Sequence, residues 1–236
     1  MRALIRIIPQ VTKSYNFAPL RIVEPRLTWQ KTTTSHTSKP RTSTFTMTKT
    51  ALVLLDLQKS FLDPFKDGKV SYLSRVSEAI KAARTAGINI IYIKTCFRPG
   101  HPEISQRNFI AAKVASFGGA VEGDLSVDIS PEIAPLERDI VVTKRRVSAF
   151  SGTDLECVLR GLNIDSLVLA GIATSGAVLS TVRQAADLDY SITVVGDLCF
   201  DADPEVHRVL VEKVFPRQAS VLSTEQWIKE VSNKKE

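Results

Sequence analysis

Six short apolar runs punctuate the chain: "ALVLLDL" (51–57), "INIIYIK" (88–94), "DIVVTK" (139–144), "SLVLAGI" (166–172), "SITVVGD" (191–197) and "ASVLS" (219–223). Their apolar positions are mostly consecutive rather than alternating, as in strands covered on both faces of a parallel sheet. Between the runs, apolar positions recur at helical spacing. Leu73, Val76, Ile80 and Ala83 form one such face, with Gly87 as its stop. "TDLECVLRGL" sets Thr153 and Glu156 as a capping box ahead of Leu155, Val158, Leu159 and Leu162. Val178, Leu179, Val182, Ala185 and Ala186 make a third face. Val206, Val209, Leu210 and Val214 make a fourth, expected to point inward. This order predicts one α/β domain over residues 50–236, built as three layers (α/β/α) around a six-stranded, mostly parallel sheet. Residues 95–138, with Gly and Pro recurring, interrupt the alternation and predict a long excursion over one end of the sheet, where substrate contacts often lie.

The first 49 residues read differently. "KTTTSHTSKPRTSTFTMTKT" is mostly Ser and Thr, and has little apolar surface to offset the entropy of ordering, so a disordered basic leader is expected over 1–49. Its Arg-rich, acid-poor composition suits a mitochondrial transit peptide, with "MRALIRIIPQ" as a basic amphipathic turn. An inert leader is the alternative, because "MTKTALVLLDLQ" makes Met47 a compact natural start. The leader also corrects the meaning of the net charge of +6. Residues 1–49 hold nine Lys or Arg against the single acid Glu24, whereas the remainder holds 22 basic and 24 acidic side chains. The domain itself is slightly acidic, which argues against a nucleic-acid partner. No apolar run approaches the roughly 20 residues needed to span a bilayer, so no membrane partner is expected. Cys96, Cys157 and Cys199 are odd in number and widely spaced, which fits a reduced compartment. The expected location is the cytoplasm, or the mitochondrion if residues 1–46 are a transit peptide.

In an open α/β sheet the ligand crevice lies beyond the carboxyl ends of the strands. The polar residues expected there are Asp56, Thr95 to Arg98, Lys144 to Arg146, Thr174, Ser175 and Asp197. Asp56 closes an apolar strand, where burial raises the pKa of an acid; its alternative role is to cap the following loop or pair with a cation. Lys144 ends its strand in the same way, and is equally readable as a surface cation. Cys157 reads as a core residue on its helix, and Cys96 and Cys199 as structural residues near strand ends.

Three ordered stretches, "DLQKSF" (Asp56, Gln58, Phe61), "KRRVSAF" (Lys144 to Phe150) and "GIATSGAVLSTVRQAADLDY", together with "RPGHPEIS", resemble the isochorismatase-like hydrolases, also called cysteine hydrolases. The resemblance covers roughly residues 51–227 and implies a Rossmann-like sheet. It also implies an Asp-Lys-Cys triad in which Asp56 and Lys144 match the acid/base and the lysine. The nucleophile position falls on Ala177, where a methyl group cannot attack a carbonyl, so the chain resembles a subgroup without the cysteine and carries a pseudo-triad. Ser175 and Ser180 are the nearby hydroxyls, and Ser180 lies nearly one helical turn away.

The same resemblance implies a cis peptide after the second residue of "GIAT" and an oxyanion hole formed by the backbone amides of Ala173 and Ala177. Family nicotinamidases bind zinc through an Asp and two His; His36, His101 and His207 do not supply that set, so no metal and no other cofactor is expected. Isochorismatases proper carry a small residue at the thiol position and hydrolyse a vinyl ether. That implies Asp56 as proton donor, with Lys144 holding the substrate carboxylate or stabilising the charge left on the acid. Gln58, Phe61, Arg98, Arg146, Phe150, Thr174 and Ser175 are the expected substrate contacts, the cations serving a small anionic substrate such as isochorismate. The glutamine that isochorismatases place after the second strand is absent from "IKTCFRPG". A catalytically retired small-molecule or protein-binding module, and an amidase with another nucleophile, are the alternatives. A homo-oligomer is expected.

Overall fold

The computed structural model of the protein describes residues 49–63, 68–116 and 119–233. The leader, with its disordered or transit-peptide readings, lies outside these. Six strands form a single all-parallel sheet: β1 (Lys49–Leu55), β2 (Asn89–Thr95), β3 (Ile140–Lys144), β4 (Ile164–Ile172), β5 (Ser191–Phe200) and β6 (Ser220–Leu222). Each coincides with one apolar run. The order across the sheet is β3-β2-β1-β4-β5-β6. The chain therefore reverses direction of travel between β1 and β4, and a crevice opens at their carboxyl ends.

The consecutive apolar pattern follows from the layers. Ala51, Val53 and Leu55 of β1 face a core shared with helices α4 (Leu155–Gly161) and α5 (Leu179–Asp187). Leu52 and Leu54 face the opposite core, shared with α2 (Lys69–Thr85) and α7 (Thr224–Asn233). Side chains alternate between faces, and both faces are covered, so no polar position survives between them. Within α2, Leu73, Val76, Ile80 and Ala83 are all buried, and the left-handed Gly87 follows its end. The remaining α-helices among the described residues are α1 (Lys59–Leu62), α3 (Phe109–Ser116) and α6 (Pro204–Val209), the last continuing through a π-turn at Leu210–Val214.

One local expectation fails and another holds only in part. The capping box does not form: the Thr153 hydroxyl donates to the Ala149 carbonyl at 2.6 Å and accepts from Leu155 N–H at 3.2 Å, while Glu156 pairs with Arg160 along the helix. On α6 no residue is buried and Val206 is exposed, whereas Leu210 and Val214 of the expected face, joined by Phe215, do pack on the core. Asp203 begins that helix instead, its carboxylate accepting from the amides of Glu205 and Val206. The long excursion between β2 and β3 contains α3, whose Phe109 and Ile110 stay exposed. Among the described residues no helix is long and apolar enough to cross a membrane.

Candidate active site

Four neighbouring strands end together. Leu55 is in register with Ile93 of β2 and Gly171 of β4, and Thr95 with Lys144 of β3. The residues just past these ends are thereby gathered on one rim of the sheet. Asp56 leaves the strand in the left-handed region (φ 55°), a conformation Asp tolerates better than most residues, while its N–H still donates to Ile93 at 2.9 Å. Gly171, directly across from Leu55, has φ 134°, and a Cβ there would stand 2.1 Å from the Leu55 carbonyl oxygen. Only glycine permits this approach of β4 to β1.

The side chains of Asp56, Thr95 and Lys144 are all buried. Lys144 Nζ lies 2.8 Å from Asp56 Oδ2 and donates to Thr95 Oγ1 at 2.8 Å and to the Arg146 carbonyl at 3.2 Å. Thr95 in turn donates its hydroxyl proton to Asp56 Oδ1 at 3.0 Å. All three ammonium protons are therefore spoken for within the protein. Burial pushes the Asp56 pKa up, and the opposing pull of Lys144 and Thr95 does not bring it back to the ordinary carboxylate value. Asp56 thus holds its proton more readily than a solvated acid does.

A cavity of about 170 Å³ opens on this triad. Of the expected site residues, Asp56, Lys144, Ala177, Phe61 and Arg146 line it. Thr95, Phe97, Asn108, Arg145, Val147, Gly176 and part of α3 complete it, a set in which Thr95, Phe97 and Arg145 fell within the strand-end roster. Ala177 presents a methyl group, so Thr95 supplies the only hydroxyl among the lining residues, and no thiol is present there.

The remaining expected contacts lie elsewhere. Gln58 spends its whole amide on backbone: Nε2 donates to the carbonyls of Thr95 and Val127, both at 2.9 Å, and Oε1 accepts from Thr95 N–H at 2.7 Å. It clamps the strand end that carries Thr95 and does not line the cavity. Arg98 is exposed and pairs with Glu103. Phe150 is a core residue whose ring meets Tyr190 at 5.8 Å. Thr174 is fully buried, its hydroxyl 2.9 Å from His207 Nδ1. Ser175 is exposed, with its N–H donating to Asp201 Oδ2 at 2.7 Å.

The turn after β4 contains a cis peptide between Ile172 and Ala173, as the resemblance implied. The Ala173 carbonyl accepts from the amides of Gly176 and Val178. Gly176 and Ala177 line the cavity, whereas Ala173 does not. Asp201 was not foreseen: burial pushes its carboxyl up, but hydrogen bonds from the Ser175, Asp203 and Ala202 amides outweigh this and hold it below the usual range.

The cysteines divide differently from the expectation. Cys157 is exposed, not core. Cys96 and Cys199 are buried, and burial pushes the Cys199 thiol to about 12, leaving it protonated. His101 packs on Phe97 and contacts the Gly119 carbonyl. Among the described residues, no group of three His, Cys, Asp or Glu side chains is arranged to hold a metal ion.

A family model described as an isochorismatase domain matches residues 50–226. An uncharacterized isochorismatase family protein of Bacillus subtilis, YwoC, is 32% identical over 78% of this chain and 94% of its own length. The ureidoacrylate amidohydrolase RutB of Acinetobacter baylyi is 31% identical over 68% of this chain and 74% of its own. Among solved structures, a cysteine hydrolase from Pseudomonas syringae pv. phaseolicola superposes with a TM-score of 0.70 at 22% identity, covering 78% of this chain and 93% of that one.

Proposed function

The chain belongs to the isochorismatase family of hydrolases, and from that premise we propose that it hydrolyses a vinyl ether of a small anionic substrate without a covalent intermediate. One observation carries the reading. A buried carboxyl with a raised pKa lines a cavity that Ala177 also lines, and Ala177 offers only a methyl group.

Asp56 donates its proton to the terminal vinyl carbon, and the electron pair of the C=C bond forms the new C–H bond. The adjacent carbon becomes an oxocarbenium centre. Water adds there, and the proton it releases returns to the Asp56 carboxylate. The resulting hemiketal collapses to a carbonyl compound and an alcohol. Lys144, whose donors are all engaged by Asp56, Thr95 and the Arg146 carbonyl, stabilises the carboxylate formed after proton loss. It has no N–H left to hold the substrate, so of its two expected roles the electrostatic one is the better supported. Thr95 orients Asp56 through the other carboxylate oxygen. Ala177 leaves room at the reacting carbon.

The test is turnover of para-vinyloxybenzoate, read as acetaldehyde release, and of isochorismate, read as pyruvate release. Asp56→Asn should lower kcat by about 100-fold or more, the scale of a lost general acid. In the wild type, kcat should fall as pH rises through the raised Asp56 pKa, because only the protonated acid donates. A rate that climbs over the same range would make Asp56 a base and favour amide hydrolysis. Hydrolysis of neither ether would overturn the reading.

A further inference from the structure

The cavity has three neighbouring cationic side chains, but they are not equally available. Lys144 has all three protons committed. Arg145 is held between two acids, Nε 3.0 Å from Glu103 and Nη2 2.7 Å from Glu122. Arg146 is different. Its Nη1 donates to the Arg145 carbonyl at 2.6 Å and its Nη2 to the Glu103 carbonyl at 3.0 Å. Among the described residues it pairs with no carboxylate. Those two bonds hold the exposed guanidinium between the end of β3 and the excursion, and three of its five N–H donors make no bond among the described residues.

A second donor stands on the same lining. Asn108 accepts the Ala111 N–H at its Oδ1, 3.1 Å away, capping α3. That bond fixes which end of the amide is which, and Nδ2 makes no hydrogen bond among the described residues. The rest of the lining is largely apolar: Phe61, Phe97, Ile110, Ala111, Val114 and Val147.

We propose that Arg146 and Asn108 select a substrate with a single carboxylate on an apolar body, and discriminate against dicarboxylates such as isochorismate. One unpaired cation and one free amide donor match one carboxylate. A second would be desolvated against aromatic and aliphatic side chains with no charge to meet it. The inference rests on the vinyl-ether reading only for the bond that breaks.

Binding of simple probes tests it without turnover. Benzoate, isophthalate and benzamide are titrated against the full chain by calorimetry. Benzoate should bind at least about tenfold more tightly than either of the others. Arg146→Met, which keeps the apolar stem, should remove that preference and leave benzamide unchanged. Asn108→Asp retains the oxygen that caps α3 but replaces the donor by a charge, so it should weaken benzoate while thermal unfolding stays near wild type. Isophthalate binding as tightly as benzoate, an Arg146→Met protein with the preference intact, or no binding by any probe would each overturn the proposal. The two readings part company on the reactive probes. If para-vinyloxybenzoate binds but neither it nor isochorismate is cleaved, the reaction falls and the selectivity stands. If it and vinyloxyisophthalate are cleaved equally well, the selectivity falls and the reaction stands.

Discussion

The rim formed by β1, β2 and β3 and the turn after β4 face the same cavity, but are built on different principles. On the rim, the polar groups at the cavity are side chains: Asp56, Thr95 and Lys144 are buried and bonded to one another. In the turn they are backbone. Gly171 exists for close approach, Gly176 and Ala177 present almost no side chain to the cavity, and Ser175 is tied down through its amide. Under the proposed vinyl-ether reading the two regions separate, because the buried acid of the rim makes no demand on the side chain at position 177.

The sharpest way to break the comparison is to give the backbone region a side chain where it tolerates none. Gly171→Ala places a Cβ 2.1 Å from a backbone oxygen at φ 134°, so either β4 or β1 must shift. A loss of at least about 3 kcal/mol in urea unfolding is expected, and an unchanged midpoint would contradict the close packing described for the two strands. Next is the side-chain region. Lys144→Ala leaves Asp56 buried without its cation and should cost about 3–5 kcal/mol where Asp56 would ionise. The Asp56 pKa is already raised, so in this variant the carboxyl takes up a proton still more readily. The loss should be small in acid, where the acid is neutral in both states, and grow as pH rises. The Asp56→Asn/Lys144→Met double variant removes both charges and should recover most of the loss. Failure to recover would mean that the pair organises the rim beyond cancelling charge.

Legibility in the sequence divides along the same line. All six strands could be read from apolar runs, because a parallel sheet covered on both faces leaves few polar interruptions. Asp56 and Lys144 stood out because a charge closing such a run is anomalous. The turn was legible only through the motif it resembles, since its Gly and Ala residues carry no chemical signature. Asn108 and α3 stayed hidden because α3 buries little: with Phe109 and Ile110 exposed, its apolar positions do not mark an inward face. α7 did carry a signal, Trp227 and Val231 four residues apart, but in a polar tail after the last apolar run. Gln58 shows the converse error. A polar residue two positions from the acid looked like a substrate contact, yet a fully buried amide satisfies itself on the nearest unpaired backbone, here at Thr95 and Val127.

The smallest expected effect isolates the anchor of the turn. Asp201 accepts the Ser175 N–H, and its carboxyl is held below the usual range. A depressed folded pKa contributes stability that is present above the unfolded pKa and is lost as pH falls through the folded one. Asp201→Asn keeps an oxygen acceptor and removes the charge, so it should cost about 1 kcal/mol at neutral pH, the difference between a charged and a neutral acceptor. The cost should vanish once the pH lies well below the carboxylate range, where wild-type Asp201 is neutral too. Paired thermal melts of both proteins across that range measure it directly. If the two curves stay equally far apart in acid, the anchor acts by shape and not by charge. The turn would then rely on its backbone even more completely than the contrast with the Asp56 rim implies.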